Sequence, residues 1–242
     1  MTLGETMKTF FAKGLIVAML LMLAPAASYA GTLSFDDIFD DGSGNTPIPY
    51  GYGSPDDPYL NWTGFHVLNT SAYNLHIPSG YLNGTISDPN VAYSYGKTYG
   101  TPVFIKSYDP GTSSWVPFNF DSAYLTAAWD NGLQIEIQGY TLVGGVPTLT
   151  IDDFYNVNAT GPTLFNFDFD SVVLLNFIPT CTSPCMEGNS GYGGSGDQFA
   201  MDNVALSGPA SAAEPDALTL LLETALASLL GLAYWQRRRI AF

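Results

Sequence analysis

The chain is poor in three things: it has two cysteines, two histidines, and seven lysines and arginines among 242 residues. Each shortage removes a class of function. Cys181 and Cys185 cannot alone complete a zinc site. His66 and His76 stand at no ligand spacing to each other or to the cysteines. Of the basic residues, Lys8, Lys13, Arg237, Arg238 and Arg239 lie at the two ends, leaving Lys97 and Lys106 against most of the 22 acidic residues and a net charge of −15. With no basic stripe to displace counterions from phosphates, nucleic acid is excluded as a partner, whereas divalent cations and neutral glycans stay compatible. No Gly-x-Ser-x-Gly elbow is present for His66 or His76 to serve, so Ser-His-Asp hydrolysis is not expected, and the chain reads as a non-enzyme. Paired carboxylates are harder to dismiss, because their spacing is spatial. Glu136, mid-strand and opposite an apolar face, keeps a polysaccharide-active enzyme open as an alternative.

What the chain does have in quantity is apolar sequence at both ends. Lys8 and Lys13 precede an apolar segment from Leu15 to Leu23, then Pro25 and the small-residue site Ser28-Tyr29-Ala30. This is the layout of a secretory signal peptide over residues 1–30, with cleavage expected between Ala30 and Gly31. At the other end a linker, 209–216, leads into an apolar run, 217–235. That run is long enough as a helix to cross about 28 Å of hydrocarbon. Glu223 interrupts it at a cost of about 3 kcal/mol, which its leucines offset with roughly −4 kcal/mol. Arg237, Arg238 and Arg239 in the basic tail 236–242 act as a membrane stop, held on the cytoplasmic side by the positive-inside bias. The folded part, 31–208, is then outside.

The order of parts at the C-terminus is Gly208-Pro209-Ala210-Ser211-Ala212, then Ala213-Glu214-Pro215, a leucine-rich helix and an arginine cluster. It resembles the sorting region of bacterial PEP-CTERM proteins, with Ala213 where the family has proline. The resemblance implies a Gram-negative exported protein, recognised at its tail by an exosortase-like membrane transpeptidase and associated with exopolysaccharide or biofilm. The resemblance covers about thirty of the 242 residues, at the tail, plus the signal peptide.

Between the ends the hydrophobic period is two. Leu133-Gln134-Ile135-Glu136-Ile137-Gln138 alternates without a break, and so does Phe165-Asn166-Phe167-Asp168-Phe169. Further strands are expected at Leu33–Ile38, Asn61–Leu68, Tyr81–Ser87, Val91–Tyr95, Val103–Tyr108, Phe118–Trp129, Thr148–Val157, Val172–Ile178 and Phe199–Leu206. Turn signals such as Asp88-Pro89-Asn90, Asp109-Pro110-Gly111 and Asp130-Asn131-Gly132 separate them. About ten short strands with such turns predict an all-β protein. The expected architecture is an antiparallel β-sandwich of the jelly-roll kind, flanked by an N-terminal signal helix and a C-terminal transmembrane helix. In an oxidising compartment Cys181 and Cys185 are expected to close a small disulfide loop.

Two constellations in this domain could bind. Asp36 and Asp37 fall on the first predicted strand and Asp202 and Asn203 on the last. If those strands are neighbours, these residues form a hard-oxygen set suited to structural calcium. The competing reading is that they cap turns. The set also resembles the calcium-bearing jelly rolls of carbohydrate-binding modules, which makes such a module an alternative to a structural matrix protein. Among the aromatic residues, most are expected in the core, with Trp129 facing inward beside Leu125 and Ala127. Trp115, Tyr50, Tyr52 and Tyr59 are the candidates for an exposed platform that stacks on sugar rings. Gly193-Gly194-Ser195-Gly196-Asp197 occurs once and reads as a loop.

Overall fold

The computed structural model describes residues 30–53, 59–73, 78–98, 101–181, 192, 194 and 196–208. Their elements are β1 (Ala30–Leu33), β2 (Thr46–Pro47), β3 (Leu60–Thr63), β4 (His66–Asn69), α1 (Gly80–Asn83), β5 (Asn90–Tyr93), α2 (Tyr95–Thr98), β6 (Val103–Asp109), β7 (Ser114–Trp115), β8 (Phe118–Ala127), β9 (Leu133–Val143), β10 (Val146–Val157), β11 (Thr163–Thr180) and β12 (Phe199–Ser207). Every strand pairing is antiparallel.

One strand organises the rest. The first half of β11 pairs with β8, from Thr163↔Leu125 to Val172↔Phe118. Its second half pairs with β9 on one side, from Leu174↔Tyr140 to Thr180↔Gln134, and with β6 on the other. Between the halves the register slips twice, and Asp168 and Ser171 take left-handed backbone angles, φ 51° and φ 54°. Two such bulges bend a strand, and here the bend carries β11 from one layer into the other. The first layer runs β10-β9-β11-β6-β3, and the second runs β11-β8-β12-β5-β4-β2. β1 lies along β12 beyond the end of β5, with Leu33 opposite Val204 and Ala30 opposite Ser207.

The layers meet through phenylalanines. Phe177 of β11 touches Phe65, Phe120 and Phe199 at ring centroids 5.4, 6.2 and 5.9 Å apart, and the last two rings belong to β8 and β12 of the opposite layer. All are essentially excluded from water. Burying each such ring contributes roughly 1.5–3 kcal/mol, so this contact is what makes two layers one domain.

A second, smaller apolar cluster lies on the far side of the second layer. Leu68, Val91, Tyr93, Ala128 and Ala200 gather there with Tyr81 of α1, and Tyr73, Tyr95 and Trp129 pack around them. Gly80 permits this docking. Its N–H donates to the carbonyl of Ala128 at 2.7 Å, and a Cβ at Gly80 would lie 1.6 Å from the carbonyl oxygen of Ala127.

Several expectations are corrected. Tyr81–Ser87 is not a strand, because α1 and a turn occupy it. The strand expected at Leu33–Ile38 ends at Leu33. Phe35, at φ 64°, turns the chain out of the ladder, so Asp36 and Asp37 sit in a turn. Asn61–Leu68 is two strands broken at Gly64, whose φ of 77° and 2.4 Å clearance to the Pro102 carbonyl admit no side chain. β8 stops at Ala127, so Trp129 escapes the alternation and packs in the outer cluster instead of the main core. The two stretches Phe165–Phe169 and Val172–Ile178 are one strand. No helix among the described residues is long and apolar enough to cross a membrane. The signal segment up to Tyr29 and the expected span 217–235 lie outside the described residues.

Candidate functional site

The β6–β7 turn is built around Asp109. Its Oδ1 accepts the Gly111 N–H at 2.7 Å and its Oδ2 accepts the Thr112 hydroxyl at 2.5 Å, while Thr112 and Ser114 share a 2.6 Å hydroxyl contact. These donors hold the carboxyl below the usual carboxylate range, the Thr112 hydroxyl most of all, with the Gly111 and Thr112 amides and the Tyr59 hydroxyl adding to it. The hydrogen-bonded turn carries an aromatic group. Trp115 meets Tyr108 edge to face at 5.0 Å, and the Tyr50 hydroxyl donates to the Tyr108 carbonyl at 3.3 Å. Tyr50 is 56% exposed and Trp115 partly buried. Three of the four expected platform residues, Trp115, Tyr50 and Tyr59, therefore converge on Tyr108-Asp109. No sequence motif links them, since Tyr50 and Tyr59 reach the turn from a different loop.

Tyr52 does not belong to this group. Its ring stacks on buried Phe35 at 5.6 Å and its hydroxyl donates to Asp37 Oδ1 at 2.6 Å. Burial first, and then the Asp37 carboxylate, push the phenol well above its ordinary range. Tyr52 is a packing residue that ties the 50–53 loop to the turn after β1.

The expected calcium set is dispersed. The first and last strands are indeed neighbours, but each carboxylate already has a donor. Asp36 Oδ1 accepts the Asn90 N–H at 3.0 Å, and Asp37 is held by Tyr52. Asp202 is fully buried. Its Oδ2 accepts the N–H groups of Ile86 and Ser87 at 2.7 and 2.9 Å, and its Oδ1 accepts the Asn203 N–H at 2.7 Å and the Ser87 hydroxyl at 3.2 Å. Asn203, at φ 48°, sits at a slip in the β12–β8 register. Among the described residues no group of three or more His, Cys, Asp or Glu side chains could hold a metal ion. The early turn at Phe35 is the physical reason, since it lifts Asp36 and Asp37 out of the β1–β12 ladder. Asp202 instead pins the 86–87 turn to β12. Burial raises its carboxyl to about 6, against the lowering effect of its four donors.

A residue of the same kind was not singled out from sequence. Asp40, 2% exposed, accepts the N–H groups of Gly42, Gly44 and Asn69 at 3.0, 3.3 and 3.0 Å and the Thr46 hydroxyl at 2.9 Å. The Asp40-Asp41-Gly42 sequence signals only a local turn, and the bond to Asn69, 29 residues on, has no local signature.

Cys181 is disulfide-bonded, and Cys185 lies outside the described residues. Ala30 and Gly31, the expected cleavage point, open β1 opposite Ser207 and Leu206. The sorting motif Ala213, Glu214, Pro215 and the arginines 237–239 lie outside the described residues, as does His76. His66 is stacked on Tyr95 at 3.8 Å, and burial lowers its pKa.

No protein-family model matches the chain, and no curated protein matches it. Among solved structures, a DUF4465 family protein from Bacteroides caccae is 14% identical with a TM-score of 0.38, covering 59% of this chain and 72% of its own. The K2 cleaved adhesin domain of Lys-gingipain is 12% identical with a TM-score of 0.35, covering 74% of this chain and 99% of its own. A structure described as CBM4 is 17% identical with a TM-score of 0.25, covering 69% and 97%.

Proposed function

We propose that this chain is an exported protein of the cell surface or extracellular matrix, sorted through a PEP-CTERM-like tail by an exosortase-type transpeptidase, and that it acts by binding rather than by reaction. The observation that carries the reading is the pairing of Ala30 with Ser207. The chain enters the domain beside the point where it leaves it, so once the segment before Gly31 is removed the sandwich is held at that corner by the tail alone. Glu136, the residue that keeps an enzymatic reading open, accepts the side-chain amide of Gln138 at 2.5 Å on the outward face of β9. The convergence of Tyr50, Tyr59 and Trp115 on Tyr108-Asp109 favours glycan contact within an exopolysaccharide matrix, and a dedicated carbohydrate-binding module is the second reading it supports.

Fractionation of the producing cells, with mass spectrometry of both mature termini, tests the sorting. The expected product starts near Gly31, is found in the envelope or matrix fraction, and is shortened within 213–242 when the transpeptidase is present. An intact, soluble cytoplasmic chain overturns the reading.

A further inference from the structure

The outward face of the first layer carries an ordered polar row. On β9 the residues Gln134, Glu136, Gln138 and Tyr140 point away from the core, alternating with fully buried Leu133, Ile135 and Ile137. Strand register sets their neighbours. Gln138 lies opposite Asn176 of β11 and Asp152 of β10, and Asn176 lies opposite Phe104 of β6. Glu136 lies opposite Phe154, and Tyr140 opposite Leu174, which itself faces Lys106. Directly opposed residues of antiparallel strands share one face, so these side chains form a single surface. Five strands at about 4.8 Å spacing make it roughly 19 Å wide.

The heads on this surface are linked. Gln138 donates to Glu136 at 2.5 Å and accepts long contacts, 3.4 Å each, from the Tyr140 hydroxyl and the Asn176 amide. Amides and carboxylates carry more hydrogen-bonding capacity than these contacts use. The 3.4 Å contacts are near the limit of a useful bond, so an incoming hydroxyl can replace them at little cost. Aromatic rings stand beside the row. Phe154 is 55% exposed, and Phe104, partly exposed, lies 5.4 Å beneath the Lys106 ammonium. A row of oriented amides flanked by flat apolar rings matches a molecule with hydroxyls around its rim and C–H groups on its faces. Charge selects further. One cation, Lys106, stands with Glu136 and Asp152 on a chain of net charge −15, which repels polyanions.

We propose that the outward face of the β10-β9-β11-β6-β3 layer is a binding surface for a neutral glycan chain, with Gln138, Asn176 and Glu136 as its hydrogen-bonding centre and Phe104 and Phe154 as its stacking rings. This deepens the reading of the chain as a glycan-contacting matrix protein and rests on it for its biological setting. The chemistry itself is testable apart from cellular sorting.

The test is calorimetric titration of the purified full chain with linear neutral hexasaccharides of glucose, xylose and mannose, and with polygalacturonate. At least one neutral hexasaccharide binds. Binding weakens about tenfold or more, equivalent to about 1.4 kcal/mol, in Gln138→Ala and in Phe154→Ala. Gln138→Glu, equal in size but without the amide donors, weakens it too, which separates lost chemistry from lost packing. Three results overturn the proposal: no neutral hexasaccharide binds, polygalacturonate binds more tightly than all of them, or the face variants bind as wild type while Trp115→Ala does not. The last result moves the site to the β6–β7 end and leaves the sorting reading intact. Mislocalisation of the chain in cells refutes that reading without touching this one.

Discussion

The outward faces of the two layers have opposite fates. On the second layer Leu68, Val91, Tyr93 and Ala200 are covered by α1 and by Tyr73, Tyr95 and Trp129, so β5 is buried at every position. On the first layer β9 alternates buried and half-exposed residues along Leu133–Tyr140, and its outward side chains are amides, a carboxylate and a phenol. A strand buried on both faces needs apolar residues throughout, and a strand with one wet face does not. The covered face is therefore structural, and the open one is free to specialise.

Substitutions can break this contrast. The largest effect is expected at Tyr81, which docks α1 on the covered face. Tyr81→Ala removes a buried ring that touches Tyr93 at 5.2 Å and Trp129 at 5.3 Å, and should cost about 3–5 kcal/mol in chemical denaturation. Next is Asp202→Ala, which leaves the Ile86 and Ser87 amides without their acceptor and should cost about 2–3 kcal/mol. A smaller effect comes from pH. Burial lifts the Asp202 carboxyl to about 6 from 3.8, so its contribution is complete below 3.8 and is lost as pH rises through about 6. Tm should climb as pH falls from 7 to 5, and Asp202→Asn should flatten that part of the profile. The smallest effect is on the open face, where Phe154→Ala should change stability by about 0.5 kcal/mol or less. A large loss there would mean that the open face is part of the core after all.

Sequence periodicity anticipated the long strands because their alternation is local. Val103–Tyr108, Thr148–Val157 and Phe199–Leu206 are strands within two residues of where the pattern puts them. It failed where a distant contact overrides the local signal. Tyr81-Leu82-Asn83 has strand-forming residues, yet Gly80 lets that segment approach the end of β8 and coil there. Phe35 interrupts an apolar pattern because Asn90 bonds the carbonyls of Phe35 and Ile38, a contact 55 residues away. Tyr50, Tyr59 and Trp115 stand out in the sequence as aromatic residues outside the long strands, but their gathering at Tyr108-Asp109 depends on tertiary structure. The amide row on β9 lay in plain view as Gln134-Ile135-Glu136-Ile137-Gln138, but its partners Asn176 and Phe104 are supplied only by the strand order.

The placement of β12 constrains the timing of folding. It lies between β8 on one edge and β5 and β1 on the other, so the second layer cannot close until the final strand has been made and delivered. For a chain made from its N-terminus, the earlier strands wait with open edges, which are prone to wrong pairing. Completion of the layer is therefore a late event, set by when residues 199–207 become available to slot between strands that are already made.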